Sequence, residues 1–448
     1  MTLDSKKDLQ NNMLNKIMFY FILLQPVIDV FTSFNENYFK LPISLGIAVR
    51  ALFLIASVIM TIYYGFRNKK WLNLLYLFLV SGYCVIYLGA SLLENSTHVF
   101  MVDMMGLVKT FYFCYVMILF MTIYEQLDIS KIKQAVVGCI SMYTVSIVVA
   151  VLTGTSFSAY KLTGSGYVGW FYAGNEVGAI LAMLIPLLSS YLFMKNKLHW
   201  THLVLGLCAC LGTTLVGVRT VFLAVIIFLV LCVVWGIINI IFKGKSTEYN
   251  KKLYIKTIVG SLVLLCVINV SYHMSFIKEN MASHEIEQSV TEEETSTKSE
   301  LENNAVFERL NLLLNHRLTY MIPKLDYYQQ SDLPYRLLGI GYTHGEGENE
   351  SEKLIEIDFL DIFMGHGYIG TLLYFTPIII GIFKYLFLYF RRFSKNIKNL
   401  EICVYLYSFF IGIGISITAG HLFTAPAVSI YLAIMMIFIH DYYVRKNG

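Results

Sequence analysis

The chain has 448 residues, of which 57 % are hydrophobic and 14 % charged, with a mean hydropathy of +0.62. A water-soluble domain carries about 25 % charged residues, so these proportions exclude a protein solvated mainly by water. The formal charge of +4, spread over short basic segments, argues against nucleic acid as a partner.

In chain order, apolar runs lie near residues 16–34, 42–64, 71–93, 98–124, 133–153, 171–194, 201–217, 219–242, 254–275, 366–390, 400–418 and 424–443. Runs of about 17–25 apolar residues cross a ~30 Å hydrocarbon core as helices, because lipid offers backbone groups no partner. The expectation is therefore an all-α polytopic membrane protein of about 12 transmembrane helices. No cleavage site follows the first run, so it reads as a span and not as a removable leader. All eight cysteines fall inside apolar runs, which leaves no disulfide framework. The Cys208–Cys210 pair reads as buried small residues, since no further ligand lies near it in sequence.

Basic residues gather in alternate connections, among them Lys69, Lys70, Lys131, Lys133, Arg391 and Arg392. The positive-inside rule then places both termini in the cytoplasm. Residues 276–354 form one large extracytoplasmic loop between spans 1–9 (residues 1–275) and the last part of the chain (residues 355–448). Its first part, 285–303, is rich in Glu, Ser and Thr and reads as a flexible acidic tether. Its second part, 305–328, places Phe307, Leu310, Leu314, Leu318, Met321 and Leu325 on one stripe, giving an amphipathic helix bent or ended by Pro323. The two halves of the chain show no repeat of the kind many transporters carry.

Charges inside spans are costly, about 2.5–3.5 kcal/mol at a helix centre. Here Asp29, Arg50, Asp103, Lys109, Asn175, Glu176, Arg219, Glu356, Asp358, Asp361 and His421 all fall near outward ends. Structural pairs such as Asp29 with Arg50 explain some of them. A polar cavity open to the outer leaflet explains the bias as a whole. Arg50, Arg219, Arg309, Arg317 and Arg336 suit an anionic ligand, because guanidinium pairs bidentately with phosphate. Glu176, Glu356 and Asp358 are carboxylates able to act as bases toward a hydroxyl. An anionic head group with a hydroxyl acceptor fits a lipid-linked sugar donor.

From about residue 165 onward the chain resembles the bacterial O-antigen ligase and polysaccharide polymerase superfamily, in its Gram-positive form. The matching stretches are Gly169-Trp170-Phe171 with Asn175-Glu176-Val177-Gly178, then Gly212-Thr213-Thr214 through Val218-Arg219-Thr220. Arg317-Leu318-Thr319-Tyr320, Leu338-Gly339-Ile340-Gly341, and Glu356-Ile357-Asp358 through Gly367-Tyr368-Ile369-Gly370 follow. Gln25-Pro26-Val27-Ile28-Asp29 and Ala419-Gly420-His421 to Pro426 are also similar.

The resemblance implies a glycosyltransferase needing no metal or other cofactor. It would pass a glycan from an undecaprenyl-diphosphate-linked oligosaccharide to an acceptor hydroxyl, building capsule or exopolysaccharide. Arg219 and Arg317 match the arginines thought to hold the diphosphate. Ligases carry a His-Asn pair upstream of their G-x-x-G, and that position is Glu356 here, with Asp358 beside it. The departure from the ligase motif favours a polymerase-like or wall-glycan branch, with a ligase that attaches polymer to a wall or lipid acceptor as the alternative. Catalytic roles are therefore expected for Arg219, Arg317, Glu356 and Asp358. Substrate binding is expected for Arg50, Asn175, Glu176, Arg309, His344 and His421. A flippase and a chain-length regulator are possible partners. His366 reads as packing inside the tenth span, and His316 as a lipid-phosphate or site contact. A lipid-linked oligosaccharide transporter and a scaffold without chemistry are the rival classes.

Overall fold

The computed structural model describes residues 3–41, 44–160, 165–197, 199–242, 250–273, 309, 311, 314, 317–342 and 354–445. Among these, ten helices are long and apolar enough to cross a membrane. A helix bent by 44° near Leu24 raises the number to eleven when its two parts count as one span. That bent pair is α1 (Leu3–Leu23) and α2 (Gln25–Phe34), the latter continued by a π-helical turn to Phe39. The series continues with α3 (Leu45–Arg67), α4 (Trp71–Glu94), α5 (Thr97–Ile123), α6 (Ile129–Leu152) and α7 (Gly174–Met194). After α8 (Trp200–Leu215) come α9 (Arg219–Ile241) and α10 (Lys251–His273).

The expected seventh span is thus α8, only 16 residues long. At 1.5 Å per residue it reaches roughly 24 Å, less than a full hydrocarbon core. Polar side chains start several of the helices. Ser44 and Ser96 accept the N–H groups of Ile47 and Val99, and Asp128 accepts those of Ser130 and Lys131.

The chain is not wholly helical. Phe157–Tyr160 (β1) and Ser165–Gly169 (β2) pair antiparallel in the connection before α7, which sequence reading left as a plain loop. Gly169 has φ +70°, and a side chain there would press on the Ile147 backbone. The hairpin therefore lies directly on α6.

Later in the chain a 3₁₀ turn (Arg317–Tyr320) leads into α11 (Met321–Gln330) and α12 (Leu333–Leu338). The last spans are α13 (Asp358–Arg391), α14 (Leu400–Thr418) and α15 (Pro426–Arg445). Pro323 stands in the first turn of α11 and does not end a helix. The N–H that proline lacks would have no intrahelical acceptor there. The tether, residues 285–303, and most of the expected stripe before Arg317 lie outside the described residues.

Two cores organise the molecule. In the main one, α7 and α15 are buried along nearly their whole length, whereas α3, α4 and α10 show most of their surface outward. Gly412 of α14 lets Met183 of α7 and Leu432 of α15 approach its backbone, which locks the three helices together. The first turn of α7 and the turn before α15 consequently end at the same end of the bundle.

The second core is small. Leu318, Tyr328, Ile340, Ile355, Ile357 and Met364 are buried together, with Leu314, Met321 and Leu325 packed on them. The described part of the stripe, Leu314, Leu318, Met321 and Leu325, packs here in a cap over that end of the bundle.

The cap is fastened by polar and glycine contacts. Tyr342 donates its N–H to Asp103 of α5 at 2.9 Å, and its hydroxyl lies 2.7 Å from Thr110 Oγ1 and 2.8 Å from His366 Nε2. Tyr83 donates to the carbonyls of both Leu338 and His366 at 2.9 Å. Gly339 and Gly367 meet backbone to backbone, and a Cβ on either would collide. At Gly367 (φ 60°, ψ −165°) α13 breaks into a short buried helix and a long one. The tenth apolar run read as starting at 366 is the long part. The short part, from Asp358 to His366, belongs to the cap.

Candidate functional site

Three charged side chains meet where the cap touches the last two spans. Arg317 opens the 3₁₀ turn and is 8 % exposed. Its guanidinium donates through Nη1 to the carbonyl of Thr418, at the end of α14, and through Nη2 to Glu356 Oε2 at 3.0 Å. A helix C-terminus has unpaired carbonyls and partial negative charge, so this is a favourable seat for arginine. Glu356 Oε1 in turn lies 3.9 Å from His421 Nε2. The order across the site is therefore Arg317, Glu356, His421.

Backbone conformation at this contact is unusual. Glu356 has φ 61° and His421 φ 60°, the left-handed region that residues with a Cβ seldom adopt. Holding a non-glycine there costs about 1–3 kcal/mol, so surrounding structure must enforce it. Gly420 (φ 64°) packs on the Glu356 carbonyl with no room for a Cβ.

Asp358 supplies the rest. It is fully buried, and its Oδ1 accepts the His421 N–H and the Thr424 hydroxyl, each at 2.9 Å. Oδ2 accepts the N–H groups of Leu422 and Phe423 at 2.8 Å. Four bonds saturate this carboxylate and fasten the 421–424 turn to the start of α13. All four contacts are internal to the protein, and none of the Asp358 surface is open. Asp361 acts similarly within the cap, accepting the Ile355 N–H at 2.9 Å.

Behind this group lies a second set of charges. Glu176, in the first turn of α7, is within electrostatic range of His421, Asp29, Arg50 and Lys109. Arg50 donates to Asp29 Oδ1, and to Gln25 Oε1 at 3.0 Å, while the Tyr143 hydroxyl donates to Asp29 Oδ2. The Asp29–Arg50 pair expected from sequence is present. It turns Arg50 toward its partners Gln25 and Asp29 in α2. Tyr143 was not singled out beforehand, since nothing distinguishes it from the other 31 tyrosines in a chain that has 32.

Burial alone would pull the His421 imidazole down. Glu356, with Glu176 and Asp358, nonetheless pushes it above its ordinary value.

The remaining expected residues are dispersed. Arg219 is the first residue of α9, half-buried. Gly178 of α7 packs on Val218 and Val221, which flank Arg219. Asn175 is half-buried in the first turn of α7, and Arg309 is exposed. Arg336 donates to the carbonyls of Gln329 and Ser331, closing the end of α11. His344 and His316 lie outside the described residues. His366 is fully buried and ringed by Tyr83, Tyr87, Phe111 and Tyr342, as its reading as a packing residue expects.

Thr418 and Gly420 were the residues missed as individuals. The signal was available only as a short polar run, Thr418-Ala419-Gly420-His421, breaking an apolar stretch. Among the described residues, no three His, Cys, Asp or Glu side chains cluster as metal ligands do.

Fold and site together define a multi-pass membrane protein with a capped, charge-lined site at one end of its bundle. The chain belongs to the family of O-antigen ligase-like membrane proteins, whose family model matches residues 11–442. No curated protein matches the sequence. Family membership makes it a membrane enzyme that processes glycans.

Proposed function

We propose that the protein is an inverting glycosyltransferase at the outer face of the cytoplasmic membrane. It moves a glycan from an undecaprenyl-diphosphate-linked donor to an acceptor hydroxyl, polymerising repeat units of a surface polysaccharide. The observation that carries this reading is the Arg317–Glu356–His421 row between cap and bundle, with Glu356 and His421 held at positive φ.

Arg317 already faces a carboxylate and a helix C-terminus, so its charge and planar N–H groups are oriented before any ligand arrives. Phosphate oxygens are suited to the same groups. Arg219, at the start of α9 where Val218 packs on Gly178 of α7, is the second arginine for the diphosphate. Preorganised cations stabilise negative charge as a leaving group departs, commonly the largest single contribution to such a reaction. The carboxylate–imidazole pair of Glu356 and His421 takes the acceptor proton. Glu176, with Asn175 beside it, orients sugar hydroxyls, and His344 and Arg309 contact the glycan or lipid from the loop.

The test uses Arg317→Ala and Arg219→Ala in cells whose own copy has been removed. Each variant should be as abundant in the membrane as wild type and yield surface glycan of one repeat unit. Polymer of normal length from both variants would contradict the assignment.

A further inference from the structure

We infer that His421 is the group that takes the proton from the acceptor hydroxyl, with Glu356 as the carboxylate that orients it. This rests on the glycosyl-transfer reading above and sharpens it. The resemblance leaves Glu356 where related ligases carry histidine. In this fold an imidazole comes up to Glu356 from a different part of the chain, the turn between α14 and α15.

Three observations bear on the division of labour. Glu356 Oε2 accepts from Arg317 at 3.0 Å, while Oε1 faces His421 Nε2 at 3.9 Å, within ion-pair range and longer than a hydrogen bond. A carboxylate anchored by arginine on one side and turned to an imidazole on the other is suited to orient that imidazole and stabilise its protonated form. Contacts of 3.9 Å commonly tighten when substrate closes the site. Second, His421 keeps 25 % of its side chain exposed, and the edge bearing Nδ1 is not the edge turned to Glu356.

Third, the backbone around both residues is built for their meeting. Among the described residues four non-glycines have positive φ, and two of them are this pair. Asp358 grips the turn that carries His421 and lies two residues from Glu356. The segment 356–358 thus fixes both ends of the contact.

The step balances as follows. The acceptor hydroxyl gives its proton to His421 Nδ1, and its oxygen lone pair forms the new bond to the anomeric carbon. The bond from that carbon to the diphosphate oxygen breaks, and its electron pair leaves on the diphosphate against Arg317 and Arg219. The imidazolium, facing Glu356, Glu176 and Asp358 with Arg317 beyond Glu356, then returns its proton to solvent.

Two measurements test this on the full-length protein. In nanodiscs without substrate, diethyl pyrocarbonate acylates neutral imidazole, and mass spectrometry follows the modification of His421 over a pH series. The midpoint should lie above about 6.5 in wild type and fall in Glu356→Gln. Equal midpoints in the two proteins would overturn the pairing.

In cells, His421→Asn keeps a residue tolerant of positive φ and should lower polymer formation by about 10²-fold or more. Glu356→Gln should leave measurable polymer, with its rise in activity moved to lower pH. Polymer lost in Glu356→Gln but kept in His421→Asn would make Glu356 the base and overturn the inference. Normal polymer from both, with the reagent midpoint still shifted, would leave the pair intact and overturn its catalytic role, while the glycosyl-transfer reading falls only if Arg317→Ala and Arg219→Ala also give normal polymer.

Discussion

Asp358→Asn separates a residue that holds the site from one that handles its proton. The wild-type carboxylate accepts four bonds, from three backbone N–H groups and the Thr424 hydroxyl. An amide has a single acceptor oxygen. If that oxygen serves Leu422 and Phe423, the NH₂ group faces the His421 N–H and Thr424. The hydroxyl can rotate to accept, but the N–H cannot. One orphaned buried N–H costs about 1–3 kcal/mol, and the remaining bonds lose their charge assistance. Removing a buried charge works in the opposite direction by relieving its desolvation. The net expectation is a loss of about 2–4 kcal/mol in stability.

Thr424→Val removes one of the four bonds and should cost about 1 kcal/mol. It should add less than that in the Asp358→Asn background, because the two share one network. Unfolding of the purified protein in nanodiscs reads these differences, with surface polymer measured in parallel. Reduced but detectable polymer from a destabilised Asp358→Asn variant fits a positioning role. A variant as stable as wild type yet wholly inactive would refute the reasoning and return Asp358 to proton transfer.

Other consequences are equally specific. Asp29→Asn or Arg50→Gln strands its partner in a buried site and should cost about 3–5 kcal/mol, while the double variant should cost less than the sum, as unfolding midpoints would show. Gly339→Ala and Gly367→Ala should each detach the cap, because each Cβ meets the other strand's backbone; faster protease cleavage after Tyr342, with the bundle intact, is the expected sign. His421 has a raised value in the folded protein, so its contribution to stability is fully present below about pH 6.5. That contribution is lost as pH rises through the raised value, and His421→Asn should remove this part of the pH dependence.

Much of the architecture was legible because lipid imposes a simple rule on sequence. Apolar runs of sufficient length become helices, and the Asp29–Arg50 pair could be foreseen from two opposite charges near the same end of adjacent spans. The hairpin at 157–169 escaped because its strands have four and five residues and no clear alternation. α8 shows the limit of counting runs, since an apolar helix of 16 residues satisfies the pattern without the length.

At the site, residue types were readable but their division of labour was not. Asp358 and Glu356 look alike in sequence, two acids before a span. The fold buries one under four hydrogen bonds and leaves the other facing an arginine and a histidine. Nothing in periodicity joins Glu356 to His421, because the contact depends on positive φ at two non-glycine residues and on a turn held from another helix. The bias of charges toward helix ends pointed to a candidate site, and only packing shows which of those charges meet.

The central claim is tested most directly by purified protein in liposomes supplied with an undecaprenyl-diphosphate-linked oligosaccharide labelled in both lipid and sugar. The account predicts that free undecaprenyl diphosphate appears in step with new glycosidic bonds, that EDTA leaves the rate unchanged, and that Arg317→Ala abolishes both products. Labelled lipid that crosses the bilayer with its oligosaccharide uncleaved would contradict it.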